Sequence, residues 1–76
     1  MIELFEFLIK NNITVATAES CTGGSISKEF VEYAGISKVF LGGLCTYDNS
    51  VKESVLGVKK ETLKNFGAVS EECAFE

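Results

Sequence analysis

Only two stretches of this sequence read as β-strands, and that scarcity constrains the fold more than any other feature. Ile13 to Ala18 (ITVATA) is a short β-branched run that reads as a buried strand. Lys38 to Tyr47 (KVFLGGLCTY) reads as a second, interrupted by Gly42-Gly43. Paired glycines inside a strand predict a bulge or a close approach by backbone or ligand. A two-stranded sheet seldom stands alone. The expectation is therefore a sheet completed by further polypeptide, either more of the same protein or a second copy.

Helical signals separate and flank the strands. Residues 1–11 place Ile2, Phe5 and Ile9, with Leu4 and Leu8, on one stripe, and Asn11-Asn12 ends the pattern. Thr22-Gly23-Gly24 opens a second helix to about Tyr33, with Ile26, Phe30 and Tyr33 on one face, and Gly35 takes the left-handed closing position. Asp48-Asn49-Ser50 supplies N-cap chemistry for a short helix through Leu56, ended by Gly57. Another helix spans Lys59 to Phe66 and stops at Gly67. Ser70 caps a last segment from Glu71 to Glu76, with Glu71 and Glu72 in its first turn. This alternation predicts an α/β layered fold in a single domain over residues 1–76.

Composition narrows the chemistry. The 76 residues contain no histidine, which excludes Ser-His-Asp and Cys-His mechanisms within this chain. A catalytic base must then be Lys, Tyr, Asp, Glu or a thiolate. Seven basic residues, all lysine, stand against eleven acidic ones, a net charge of −4. That balance argues against a nucleic-acid partner, and the lack of arginine removes any bidentate clamp on phosphate. Cys21, Cys45 and Cys73 are widely spaced, odd in number and unaccompanied by histidine, so neither a metal site nor a disulfide framework is expected. Unpaired thiols suit a reducing compartment, where they serve as small apolar core residues. No apolar run reaches the length of a membrane span, and the expected setting is cytoplasmic with no membrane partner.

Two constellations can carry chemistry. Glu19-Ser20-Cys21-Thr22-Gly23-Gly24 takes a strand through a tight turn into a helix. Glycines there allow close backbone approach, and a helix N-terminus offers N–H groups to a phosphate or an oxyanion. A hydroxyl or thiol at such a turn is placed to act as nucleophile. The plainer reading is that Ser20 and Thr22 cap the helix while the glycines make the turn. Thr46-Tyr47-Asp48-Asn49-Ser50-Val51-Lys52 is the second constellation. A lysine desolvated in a cleft can take a proton from a serine hydroxyl, with a tyrosine beside it as relay. The plainer reading there is a half-buried tyrosine and a solvated lysine.

Taken together, TVATAESCTGGSIS, FLGGLCTYDNSVKESVLGV and ETLKNFGAVSEECA resemble the CinA C-terminal domain family of competence/damage-inducible proteins. Members of that family also occur as stand-alone nicotinamide mononucleotide deamidases. The resemblance implies the first half of a three-layer α/β/α sandwich, the family domain being longer than this chain. It implies an amidohydrolase that converts nicotinamide mononucleotide and water to nicotinic acid mononucleotide and ammonia, without a cofactor or a metal. Ser20 would be the nucleophile, Lys52 the general base and Tyr47 a proton relay or positioning group. The implied substrate- and oxyanion-binding set is Cys21, Thr22, Gly23 and Gly24, with Gly42, Gly43 and Thr46. The partners expected are the small-molecule substrate and further copies of the chain. Two other readings remain: a non-catalytic fragment or oligomerising interaction module, and a thiol amidase using Cys21.

Overall fold

A computed structural model describes every residue from Met1 to Glu76. The chain forms two compact units, Met1–Cys45 and Thr46–Glu76.

The first unit begins with helix α1, Ile2–Asn11. Asn12 ends it in the left-handed conformation, with φ 53° and ψ 41°, and its N–H returns to the helix carbonyls. Asparagine tolerates that backbone better than most residues, which is why the pattern stops there. Strand β1, Val15–Glu19, follows, then helix α2, Ser25–Val31, and strand β2, Phe40–Cys45. A 3₁₀ turn, Ile36–Lys38, precedes β2, with Gly35 at φ 86° before it. The two strands pair in parallel, which makes this unit a βαβ arrangement.

The predicted glycine effect in β2 appears as a β-bulge. Val15 pairs with Phe40, but Ala16 pairs with Gly42, so Leu41 is an extra residue on one side of the ladder. From there the register runs Thr17 with Gly43, Ala18 with Leu44 and Glu19 with Cys45. The expected strand over residues 38–47 is thus shorter at both ends.

The core of this unit is aromatic. Phe5 and Leu8 of α1 meet Phe30 of α2, Ile36 and Val39, with Ile9, Val15, Tyr33 and Phe40 packed around them. The Phe5 and Phe30 rings lie 4.7 Å apart, and Phe30 stacks on Phe40 at 4.9 Å. Burying side chains of this size stabilises by about 1.5–3 kcal/mol each. The α1 stripe is narrower than the sequence predicts, since Ile2 and Leu4 stay exposed. Likewise Ile26 is exposed, while Phe30 of the same helix is buried.

Burial along β1 alternates, so the strand is covered on one face only. Val15, Thr17 and Glu19 point inward; Ala16 and Ala18 are exposed. The predicted fully buried strand is corrected to a half-buried one, because α2 covers a single face. An open groove of about 360 Å³ is bordered by Ala16, Thr17 and Leu41 to Leu44.

In the second unit, Asp48 caps helix α3, Asn49–Val51, by accepting from the Ser50 N–H at 3.0 Å. The helix continues into a π-helical turn, Lys52–Leu56, which ends at Gly57 with φ 77°. Helices α4, Lys60–Phe66, and α5, Glu71–Phe75, complete the unit. Ser70 caps α5 as the sequence predicts, accepting from the Cys73 N–H at 3.2 Å. A small core gathers Val58, Leu63 and Cys73 with Leu56 and Ala68. Glu76 holds the start of α4, accepting from the Lys59 N–H at 2.8 Å and from Thr62 Oγ1 at 2.6 Å.

Candidate active site

Ser20 stands where β1 becomes the turn that leads to α2. Its carbonyl accepts from the Gly23 N–H at 3.1 Å, and the Thr22 carbonyl accepts from the Ser25 N–H at 3.2 Å. Gly23 and Gly24 adopt φ values of 62° and 94°. Those left-handed angles let two successive tight bonds close within the six residues from Ser20 to Ser25, and a side chain there would be strained. The helix starts at Ser25 with Gly24 as N-cap, later than the predicted opening at Thr22.

Gly24 stands at the N-cap and offers no side chain, and the Thr22 hydroxyl donates to Glu19 instead of accepting from the helix. That work falls to Glu19, the residue sequence reading passed over. One carboxylate oxygen accepts from the Ile26 N–H at 2.8 Å and from Thr22 Oγ1 at 2.8 Å. The other accepts from the Ser27 N–H at 3.0 Å and from the Ser27 hydroxyl, with Thr17 Oγ1 more distant at 3.4 Å. Ile26 and Ser27 are the second and third residues of α2, the donors a capping side chain ordinarily satisfies. Gly24 has no side chain to offer, so a carboxylate from the preceding strand takes the role. The Ser27 hydroxyl is the largest influence on Glu19. With the Ile26, Thr22 and Ser27 donors it outweighs burial and holds the carboxyl at about 2. The expectation of open N–H groups at this helix start is corrected accordingly: Glu19 occupies them. Its signal in the sequence was phase. Glu19 falls on the inward side of β1 with Val15 and Thr17, an unusual place for a carboxylate without partners.

Gly43 completes the floor of this arrangement. A Cβ at Gly43 would overlap both Thr17 Oγ1 and Ser27 Oγ, which are 2.6 Å from one another. The close approach predicted for this glycine is made by the protein's own hydroxyls. Gly42 differs: space around it is open, and its φ of 142° favours glycine.

The remaining candidates follow β2. Thr46 is buried, and Tyr47 is exposed, lying beyond the end of the strand at Cys45. Lys52 is only 6% exposed, and its ammonium donates to the Tyr47 main-chain carbonyl at 2.6 Å. It opens the π-helical turn, a distortion common near functional groups. The solvated lysine of the plainer reading is therefore corrected, and so is the half-buried tyrosine. Of the cysteines, Cys73 is buried, but Cys21 and Cys45 are exposed rather than part of a core. No helix is long and apolar enough to cross a membrane.

A parallel βαβ unit with a serine turn directly after its first strand defines an α/β protein whose candidate nucleophile sits at a strand's carboxyl end, where such folds bind ligands. Within that class the chain belongs to the CinA C-terminal domain family, whose profile matches residues 2–76. It is 62% identical over 74 residues to a CinA-like protein of Leptospira interrogans, covering 97% of this chain and 18% of that protein. It is 56% identical over 73 residues to a CinA-like protein of Fervidobacterium nodosum, covering 96% of this chain and 18% of the relative. Among solved structures, the competence/damage inducible protein CihA from Agrobacterium tumefaciens superposes with a TM-score of 0.93 at 43% identity, over 97% of this chain and 45% of that one. The competence damage-inducible protein A (ComA) of Klebsiella pneumoniae gives 0.92 at 36% identity, over 95% of this chain and 45% of that one. The chain thus spans about a fifth of the curated relatives and under half of these solved proteins.

Proposed function

We propose that this chain, as part of one CinA C-terminal domain, serves hydrolysis of the carboxamide of nicotinamide mononucleotide, releasing ammonia and nicotinic acid mononucleotide. The observation that carries the reading is the burial of Lys52, with its ammonium on the Tyr47 carbonyl. A lysine kept from water and fixed by a hydrogen bond is suited to proton transfer, whereas a solvated surface cation is not.

Ser20 Oγ adds to the carboxamide carbon as its proton passes to Lys52. The carbonyl oxygen becomes an oxyanion. Gly23 is removed from the oxyanion donors, because its N–H holds the Ser20 carbonyl. Cys21, Thr22 and Gly24 supply that contact instead. Lys52 then returns the proton to the departing nitrogen, ammonia leaves, and an ester to Ser20 remains. Water attacks the ester with Lys52 again accepting a proton, and Ser20 is regenerated. Tyr47, with its exposed ring, positions the substrate or relays the proton. Gly42 and Thr46 lie along the same stretch of chain and complete the substrate contacts. No cofactor or metal takes part. A cytoplasmic, reducing setting suits the exposed thiols of Cys21 and Cys45.

The test is ammonia release from nicotinamide mononucleotide. Ser20→Ala and Lys52→Ala should each lower kcat by a factor on the order of 10³ or more. Retained activity in Ser20→Ala would remove Ser20 as the nucleophile, and loss on Cys21→Ser alone would shift the role to Cys21.

A second reading rests on the open sheet face, where Leu41 is 72% and Leu44 47% exposed. There the chain is an association module whose apolar face takes further polypeptide, a second copy included. Sedimentation across concentration tests it, and a lone monomer with full turnover counts against it.

A further inference from the structure

We infer that Glu19 is a positioning residue for Ser20: its carboxylate, rather than any group within the turn, fixes the backbone that carries the nucleophile. The inference rests on the reading of Ser20 given above.

The geometry leaves Ser20 little freedom. On its N-terminal side, the Glu19 side chain reaches across the turn to two helix N–H groups and to the hydroxyls of Thr22 and Ser27. On its C-terminal side, the Ser20 carbonyl is held by Gly23. The carboxylate thereby ties the last residue of β1 to the middle of the turn and to the first turn of α2. An ionised carboxylate only accepts hydrogen bonds, through about four lone-pair directions. The four close donors match that capacity, and no buried side-chain oxygen or nitrogen in the chain lacks a partner. The network continues from Ser27 to Thr17, and Gly43 leaves it the room it needs. Three elements, β1, α2 and β2, are thus registered around one side chain next to the candidate nucleophile.

Glutamine cannot substitute. It has nearly the same shape, but its NH₂ would face donors on whichever side it pointed. The Thr22 and Ser27 hydroxyls can turn to accept, but either the Ile26 N–H or the Ser27 N–H would meet another donor. Aspartate keeps the charge but is one methylene too short to span the turn.

The experiment compares wild type, Glu19→Gln, Ser27→Ala and Ser20→Ala as full chains. Three readouts are taken: steady-state turnover of nicotinamide mononucleotide, the rate of Ser20 acylation by a fluorophosphonate probe, and backbone amide exchange by NMR. A nucleophile displaced by about 1 Å loses on the order of a hundredfold in rate, so Glu19→Gln should lower kcat and the acylation rate by about that factor. KM should change less than about threefold, since ground-state binding is not the target. Exchange at Gly23, Ile26 and Ser27 should accelerate at least about tenfold, while Phe5 and Leu8 amides keep their protection. Ser27→Ala removes one donor and leaves the carboxylate, so it should fold even where Glu19→Gln does not and should show the same pattern at smaller amplitude. Unchanged exchange at Gly23 would overturn the inference. So would accelerated exchange with normal kcat and normal acylation, because Glu19 would then only brace the helix. A wild type that neither turns over nor labels, or an active Ser20→Ala, would instead overturn the reading of Ser20 itself, and with it any nucleophile for Glu19 to position. A dead Ser20→Ala beside a fully active Glu19→Gln sinks the positioning role alone.

Discussion

The ammonium of Lys52 donates to the main-chain carbonyl of Tyr47 at 2.6 Å, so the tyrosine holds the lysine by its backbone and leaves its phenol unused in that contact. The ring is correspondingly exposed, at 73%. Tyr47→Phe should therefore leave the thermal midpoint within about 1 °C of wild type, since no hydrogen bond is lost from the fold. Any fall in kcat from that variant would report the phenol's part in proton relay or substrate contact. Calorimetry paired with turnover separates the two.

Gly43→Ala should destabilise the chain by about 1–3 kcal/mol, the usual cost of forcing an atom into a filled space. The added methyl would meet Thr17 Oγ1 and Ser27 Oγ, which cannot both move without loosening Glu19. Gly42→Ala meets no such obstacle and acts through its backbone angle alone. Urea denaturation measures both. Combining Gly43→Ala with Ser27→Ala should recover part of the loss, because one of the two colliding oxygens is then gone.

Acid should unfold this protein partly through Glu19. Its carboxyl titrates at about 2 in the folded chain against 4.5 for an unperturbed glutamate. Because the folded value is the lower one, the unfolded chain binds the proton first. The contribution is complete above about 4.5 and is lost progressively as pH falls toward 2. Asp48 and Glu76 add to the same trend. The Ser50 hydroxyl holds Asp48 below its usual range, and the Thr62 hydroxyl does the same for Glu76. Stability measured against pH should fall across that window in wild type and more shallowly in Glu19→Gln.

Cys21 and Cys45 should react with a thiol reagent in the native protein, and Cys73 should react only on unfolding. A colorimetric thiol assay with and without denaturant gives two and then three equivalents. Three fast equivalents would show that the small core around Val58 and Leu63 opens readily.

Much of the backbone was legible because its stops are chemical. Asn12, Gly35, Gly57 and Gly67 all take positive φ at places where the hydropathy pattern breaks, and Asp48 and Ser70 cap as their type suggests. The α1 stripe was legible in phase but not in width, because Ile2 and Leu4 are apolar without a neighbour to bury them. The candidate residues came from motif likeness rather than from pattern. What could not be read was burial of polar groups. Lys52 looks like any surface lysine until the fold closes over it. Glu19 shows its inward phase on β1, but not its role as a cap, because its donors lie as far as eight residues away in sequence. Two cysteines were misplaced for the converse reason: a thiol is small enough to go either way, and only tertiary packing decides.

The extra residue in β2 sets which letter of the later sequence meets which environment. With Leu41 in place, Leu44 pairs with Ala18 and Cys45 with Glu19. Were Leu41 instead to enter the ladder opposite Ala16, every later residue would slip by one and Leu44 would face the carboxylate, exchanging the two sides of the strand at a stroke. Position 41 should therefore accept almost any side chain, exposed as it is, provided the residue stays out of the ladder. The glycine at 42, whose backbone angle few other residues adopt, is what a descendant of this sequence would have to inherit there.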